Sequence, residues 1–276
     1  MTKKLKDIVT QSFINVDENN VSKRDIKYLI KETFSLTETE FILKQDEYFD
    51  DEVLQVKLEE LKTGKPVEYV LGHAYFCGDK FLVDQNTLIP RGETEDLIYK
   101  IKEIVKEEHI DVTDILDIGS GSGCIAISLS KLYREAKVDS VDISLGALEV
   151  SEKNNILNQT NVNFYISDCF SNVEGKYNLI VSNPPYIDED KYVQESVLKY
   201  EPHSALFADN HGLAIYEKII KDVNSYTKGK TLIAFEISPD LVERLTLLVE
   251  KTLKHCKYLF EKDINGFDRY LFIIIE

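Results

Sequence analysis

The 276-residue chain is short of positive charge: 33 Lys and Arg stand against 49 Asp and Glu, a formal net charge of −16. That balance argues against an indiscriminate hold on nucleic-acid backbone, which depends on neutralising phosphates, although a local basic groove is compatible with it. Cysteines are few and scattered, at Cys77, Cys124, Cys169 and Cys256, with no C-x-x-C pair. Neither a disulfide framework nor a zinc site is expected, and the thiols read as reduced and mostly buried. The five histidines lack metal-binding spacing, and His255-Cys256 has no companions, so no metal is expected. No apolar run approaches the length of a membrane span. Met1-Thr2-Lys3-Lys4-Leu5-Lys6 leads into Asp7 rather than into the apolar core of a signal peptide, and a cytoplasmic location is expected. No internal repeat or low-complexity segment occurs. What remains is a composition 43% hydrophobic, enough that a folded chain of two domains or one large one is expected rather than disorder.

The stretch around which the rest is organised is Asn183-Pro184-Pro185-Tyr186, directly after the apolar run Tyr177-Asn178-Leu179-Ile180-Val181-Ser182. The run reads as a buried strand. Two prolines cannot continue a sheet, and each disfavours the α region in the residue before it. A short stiff segment therefore projects from a strand end, where α/β sheets bind their ligands. Such a segment suits a planar NH2 group whose lone pair is delocalised. The Asn183 side-chain oxygen and the Pro184 carbonyl are two fixed acceptors, and the Tyr186 ring is a flat apolar surface. Taken alone, the tetrapeptide reads equally well as a strand-ending turn.

Upstream, Ile115-Leu116-Asp117-Ile118 runs into Gly119-Ser120-Gly121-Ser122-Gly123 and then the apolar Cys124-Ile125-Ala126-Ile127. This is a strand, a glycine-rich loop and a helix, an arrangement that lets backbone N–H groups approach a ligand closely. Cys124 stands where a dinucleotide fingerprint wants its third glycine, and the Gly-Lys-Ser/Thr ending of a phosphate loop is absent. Asp117, two residues before the first glycine, suits an ammonium-bearing ligand better than a pyrophosphate. Asp142 ends the next strand pattern, at the distance expected of a ribose-binding acid. Ser167-Asp168-Cys169-Phe170 follows the run Val162–Ile166. Each acid alone reads as a helix cap or solvated strand end; four successive strand ends bearing polar candidates point to one site.

These motifs resemble those of class I S-adenosylmethionine-dependent amino-methyltransferases. More narrowly, the chain is similar to the HemK/PrmC family, which methylates the glutamine amide of the Gly-Gly-Gln loop in peptide chain release factors. The narrower likeness rests on Pro66–Gly72, Leu88-Ile89-Pro90-Arg91-Gly92-Glu93-Thr94-Glu95, Ser182–Ile187, Tyr200-Glu201-Pro202, His211-Gly212-Leu213 with Tyr216 and Ile219, and Asp268-Arg269-Tyr270. It covers about residue 64 to the C-terminus. Gly92 stands where the family usually has proline, and Cys169 where it often has a larger residue. The resemblance implies a Rossmann-like α/β domain using S-adenosylmethionine. In it Asp117, Gly119, Ser120, Gly121, Ser122 and Gly123 bind the methionine end, Asp117 supporting that loop or the cofactor's amino group. Asp142 serves the ribose, Asp168 and Cys169 the adenine, and Asn183 borders the cofactor. Asn183, Pro184, Pro185 and Tyr186 bind the substrate amide, and Asn183, Pro184 and Tyr186 promote transfer by positioning, with no general base. It implies a release factor as partner, with no direct nucleic-acid binding and a monomeric enzyme. A ribosomal-protein glutamine methyltransferase, an adenine-N6 nucleic-acid methyltransferase and an inactive cofactor-binding module are the alternatives.

The expected organisation is a helical substrate-recognition domain over 1–67, a β-hairpin linker over 68–90 and the methyltransferase domain over 91–276. Leu5, Ile8, Val9 and Phe13 fall on one helical face. Ser22-x-x-Asp25 and Thr37-x-x-Glu40 form capping boxes. A helix through Val53, Leu54, Leu58 and Leu61 ends at Gly64-Lys65-Pro66, and the acidic Asp46–Glu52 reads as a solvated loop or helix start. Tyr75-Phe76-Cys77 and Phe81-Leu82-Val83 flank Gly78-Asp79-Lys80 as a hairpin. Beyond Glu93, helices and strands alternate as in a mainly parallel sheet. Thr231–Glu236, Cys256–Phe260 and Tyr270–Ile275 are the last strands, one of them antiparallel.

Overall fold

The computed structural model describes residues 2–14 and 21–276. The chain divides into two compact units, Met1–Ala74 with Gln194–Tyr200, and Tyr75–Val193 with Glu201–Glu276.

The first unit is built from β1 (Thr2–Lys4), α1 (Leu5–Ile14), α2 (Lys23–Thr33), α3 (Glu38–Leu43), β2 (Tyr48–Asp50), α4 (Glu52–Lys62) and α5 (Val67–Leu71). Both capping boxes form: Ser22 and Thr37 accept from the backbone N–H of Asp25 and Glu40, whose carboxylates accept from the cap backbone in return. Satisfying those otherwise orphaned donors fixes where α2 and α3 begin. Leu5, Ile8, Ile26, Leu29, Ile30, Leu54 and Leu58 meet in one core. The expected helix through Val53, Leu54, Leu58 and Leu61 is α4; Val53 is 61% exposed, and Leu54, Leu58 and Leu61, at spacings of four and three, share its inward face. The acidic stretch is the helix start expected from Asp51 onward, but before it Tyr48–Asp50 is a strand, paired antiparallel with Thr2–Lys4, and buried Asp51 is neutralised by Lys3 at 2.9 Å. A three-residue strand is too short to show a period of two.

In the second unit, β3 (His73–Phe76) and β4 (Asp79–Leu82) form the hairpin. Its turn is Cys77-Gly78, both at positive φ (+49° and +82°), so Asp79 and Lys80 already belong to the second strand. Two left-handed residues in succession match the twist of paired strands better than the longer turn expected. There follow α6 (Gly92–Glu107), β5 (Asp114–Ile118), α7 (Cys124–Leu132), β6 (Lys137–Asp142), α8 (Leu145–Leu157), β7 (Asn163–Ile166), β8 (Tyr177–Ser182), a helix over Ala214–Asp222, β9 (Thr227–Glu236), a helix over Val242–Thr252, β10 (Cys256–Lys262) and β11 (Asp268–Ile275). The sheet order is β10-β11-β9-β8-β5-β6-β7. Neighbours from β9 through β7 run parallel, while β11 is antiparallel to both β9 and β10. The β9 strand starts four residues before the expected Thr231, at polar Thr227 opposite Tyr177, where no apolar pattern announces it.

Successive residues of the central strands feed opposite faces, the period of two that a pleated strand imposes. Ile115 and Leu179 pack with Leu97, Ile101, Ile125 and Leu129 on one side. Leu116 and Ile180 pack with Tyr216, Ile219 and Leu245 on the other. Both faces being covered explains why these strands read as continuous apolar runs. The strand order reverses between β5 and β8, whose register sets Ile118 beside Ser182. The glycine loop and the Asn-Pro-Pro-Tyr turn therefore leave the sheet side by side at its topological switch point.

Candidate active site

A cavity of about 220 Å³ opens at that switch point. Gly119, Ser120, Gly121 and Ser122 form one wall, Asp142 and Ile143 a second, and Ser167, Asp168 and Cys169 a third; Ser182, Asn183, Pro184 and Pro185 close the fourth. Asp117, Gly123 and Tyr186, also singled out from the sequence, do not line it.

The loop is held in shape largely by backbone. Gly119, Gly121 and Gly123 all lie at positive φ, and the Gly119 and Ser120 N–H groups both donate to the Val141 carbonyl, at 2.8 and 3.0 Å. Beyond the adjoining residues of the chain, no atom of the described residues stands within 4 Å of where a Cβ would sit on Gly119 or Gly121, which leaves the cavity side of the loop bare. At Gly123, by contrast, a Cβ would lie 2.9 Å from Ser151 Cβ, so helix α7 packs against its neighbour only because that residue is glycine.

Asp117 explains its own absence from the wall. It is fully buried behind the loop and accepts from Ser140 Oγ at 2.9 Å. Since that hydroxyl's proton goes to the carboxylate, Ser120 must donate to Ser140, at 2.6 Å. A chain of two hydroxyls thus ties the carboxylate to the loop. Burial pushes the Asp117 carboxyl up to about 7, the bonds from Ser140 and the Ala126 backbone opposing.

Asp142 is half-buried at the end of β6, where one oxygen accepts from the Gly121 N–H at 2.9 Å and the other from Ser144 at 2.8 Å. Burial raises its pKa while those N–H groups oppose the rise. Each oxygen keeps a lone pair for a further donor, such as a hydroxyl. Asp168 is exposed and paired with Lys218 at 3.0 Å, and Cys169 holds a left-handed φ of +49°. Phe170 turns into the core, stacked on Tyr226 at 4.1 Å, so it does not broaden the surface at Cys169. The apolar wall there comes from Ile143 and Ile215.

The proline turn is braced by residues far away in sequence. Asn183 Nδ2 donates to Thr94 Oγ1 at 3.2 Å, Thr94 donates to Glu236 Oε2 at 2.7 Å, and the Tyr186 hydroxyl reaches Glu236 Oε1 at 3.4 Å. Tyr216 donates to the Glu236 carbonyl at 2.7 Å, and Tyr270 to the Glu93 carbonyl at 2.8 Å. Behind the turn, Gly212 sits at φ +86°, where a Cβ would fall 2.3 Å from the Tyr186 carbonyl oxygen. His211 Nδ1 lies 2.6 Å from Asp188, and Ile187 exchanges backbone bonds with Leu206 and Ala208. Arg91, at the start of α6, is ion-paired with buried Glu201. In the sequence Glu236 reads only as a strand terminus and Thr94 only as one residue of the Leu88–Glu95 stretch. Their signal was a carboxylate ending a central strand, the feature that had marked Asp142.

A doubly wound sheet whose switch point carries a glycine loop on one strand and Asn-Pro-Pro-Tyr on the next defines a class I methyltransferase. The Methyltransferase small domain family matches residues 101–201. The fold is shared with a 16S rRNA methyltransferase of T. thermophilus solved with AdoMet and guanosine, at a TM-score of 0.52 and 16% identity over 74% of this chain and 49% of that one. Among curated proteins, the chain is 39% identical over 254 residues to the release factor glutamine methyltransferase of Flavobacterium psychrophilum, covering 88% of this chain and 89% of that protein. It is 36% identical over 251 residues to that of Staphylococcus aureus, covering 88% and 89%. The chain belongs to the release factor glutamine methyltransferase family.

Proposed function

We propose that this enzyme transfers a methyl group from S-adenosylmethionine to the side-chain amide nitrogen of the glutamine in the Gly-Gly-Gln motif of a peptide chain release factor. The observation that carries the reading is Asn183 facing the glycine loop across one cavity, in a chain whose relatives bear that name over most of their length. The residues present fit the cofactor: bare glycines at 119 and 121, lone pairs left on Asp142 for ribose hydroxyls, and an apolar wall at Ile143, Cys169 and Ile215. When bound, S-adenosylmethionine supplies an electrophilic methyl group.

The chain's own residues then do the positioning. Gly119, Ser120, Gly121, Ser122 and Asn183 border the cofactor, with Gly123 setting the loop onto α7 and Asp117 stiffening the loop from behind. Asp142 takes the ribose, and Asp168 and Cys169 flank the base. Asn183 Oδ1 and the Pro184 carbonyl accept the two N–H bonds of the glutamine amide, while Pro185 keeps the turn rigid and Tyr186 anchors it to Glu236. An amide nitrogen held in one orientation in a site that excludes water needs no prior deprotonation, because the methylated cation sheds its proton readily. The helical unit serves in recognising the release factor, and the enzyme works as a cytoplasmic monomer without a metal.

The test is methyl transfer from labelled S-adenosylmethionine to purified release factor, beside a variant with the Gly-Gly-Gln glutamine replaced and beside Asn183→Ala enzyme. Label on the intact glutamine alone, reduced roughly a hundredfold or more by Asn183→Ala, is the expected result. Label on a ribosomal protein or on DNA instead would overturn the substrate.

A further inference from the structure

We infer that Glu236 is a positioning residue for the reaction, fixing through Thr94 which way the Asn183 amide faces and holding Tyr186 with its other oxygen. The inference rests on reading Asn183 as the acceptor of the substrate NH2. An asparagine amide presents an oxygen on one side and an NH2 on the other, and a rotation of half a turn exchanges them. Only one of the two faces serves a substrate that is itself a donor. An ionised Glu236 removes the choice. A carboxylate only accepts, so the Thr94 hydroxyl must donate to it, at 2.7 Å. The Thr94 oxygen can then only accept, and what it accepts is Asn183 Nδ2, at 3.2 Å. Asn183 Oδ1 is thereby turned away from Thr94. The second Glu236 oxygen takes the Tyr186 hydroxyl at 3.4 Å. One side chain, on the strand beside β8, thus governs both polar side chains of the turn.

Both links are shielded from water: Thr94 is 3% exposed and Glu236 2%. In such surroundings a misdirected hydrogen bond is costly, so the orientation is enforced rather than merely preferred. The groups facing the Glu236 carboxyl are Thr94 and Glu93 from α6, Tyr186 from the turn, Tyr216 from the helix over Ala214–Asp222, and Arg269 from β11, itself paired with Asp263 at 3.3 Å. Burial raises the carboxyl to about 7, with Thr94 and Arg269 pulling it down and Glu93 pushing it up. Protonation would give Glu236 a donor of its own and release the direction of the whole chain of bonds.

The experiment uses the full-length chain with release factor as acceptor, at saturating S-adenosylmethionine, with cofactor affinity measured by calorimetry. Thr94→Val should lower kcat roughly tenfold or more while the cofactor Kd stays within about twofold, and Thr94→Ser should recover most of the loss. Wild-type kcat should fall on the acid side of about pH 7, as Glu236 gains its proton. Glu236→Gln should have a low kcat without that limb, and Asp117→Asn should retain it. Unaltered kcat in Thr94→Val, no recovery in Thr94→Ser, or an acid limb persisting in Glu236→Gln would each overturn the inference. If Glu236→Gln fails to fold, the two Thr94 variants decide. Should the wild-type chain methylate no release factor, the substrate reading fails and the positioning role is read by NMR. The Asn183 side-chain amide, identified by its loss in Asn183→Ala, should shift with a midpoint near pH 7 in wild type and stay put in Thr94→Val; an amide indifferent to pH in wild type refutes it.

Discussion

The two sides of the cavity are built by different means. The Gly119–Gly123 side is main chain: positive-φ glycines, N–H groups bonded to the Val141 carbonyl, and one hydroxyl relay from Asp117. The Asn183–Tyr186 side is aimed by side chains that arrive from α6 and β9, with the Gly212 backbone packed behind it. A site that cradles a ligand with backbone needs little beyond room for close approach. A site that must present one atom of an amide needs partners whose donor and acceptor roles are fixed. The first kind is written in consecutive residues; the second is assembled only by folding.

Damage should therefore separate along the same line. The largest effect is expected from Gly123→Ala, which puts an L side chain at φ +80° with Ser151 Cβ 2.9 Å and Phe164 Cζ 3.1 Å from its Cβ. Left-handed strain of about 1 kcal/mol and overpacking of about 1–3 kcal/mol should lower stability, and cofactor affinity should drop roughly tenfold. Thermal melting and calorimetry read both. A variant that binds cofactor normally yet turns over slowly would erase the division between the two sides.

A smaller effect sharpens the contrast between the buried carboxylates. Asp117 has a folded value of about 7, above its unfolded one, so its proton favours the folded state. That contribution is complete below the unfolded carboxylate value of about 4 and is lost as pH rises through about 7. Asp117→Asn should therefore lessen the fall in melting temperature between about pH 5 and 8. Glu236 keeps the rest of the slope, having the same sign. A slope identical to wild type would show that Asp117 is not buried as described. The smallest effect is a control: Ser22→Ala removes a cap in the helical unit and should cost about 1 kcal/mol, leaving cofactor Kd unchanged. A shifted Kd would mean that the cavity answers to more than its own walls.

Legibility followed the same division. The central strands, the glycine loop and the strand-end positions of Asp142 and Asn183 were readable because each is a local event: an apolar run, a turn that only glycine tolerates, or a polar residue at a strand end. The capping boxes were readable for the same reason. Thr94 and Glu236 stand 142 positions apart, and no spacing rule joins them. Whether Phe170 faces the cavity or the core is not written in its neighbours; it packs on Tyr226, a choice made by tertiary packing. The strand over Tyr48–Asp50 was hidden by its brevity and by the acids on either side of it, of which Asp51 is paired with Lys3 of the partner strand.

The contact between Gly212 and the Tyr186 carbonyl limits how the chain can be re-engineered. Between Asp209 and Leu213 there is no room even for one added carbon at Gly212, so a tag, a graft or an inserted loop at that point would displace the proline turn itself. The β10–β11 hairpin tip is the opposite case, since nothing crowds Gly266. A fluorophore or a tether for following this enzyme belongs there, on the neighbouring exposed Ile264, which faces open solvent.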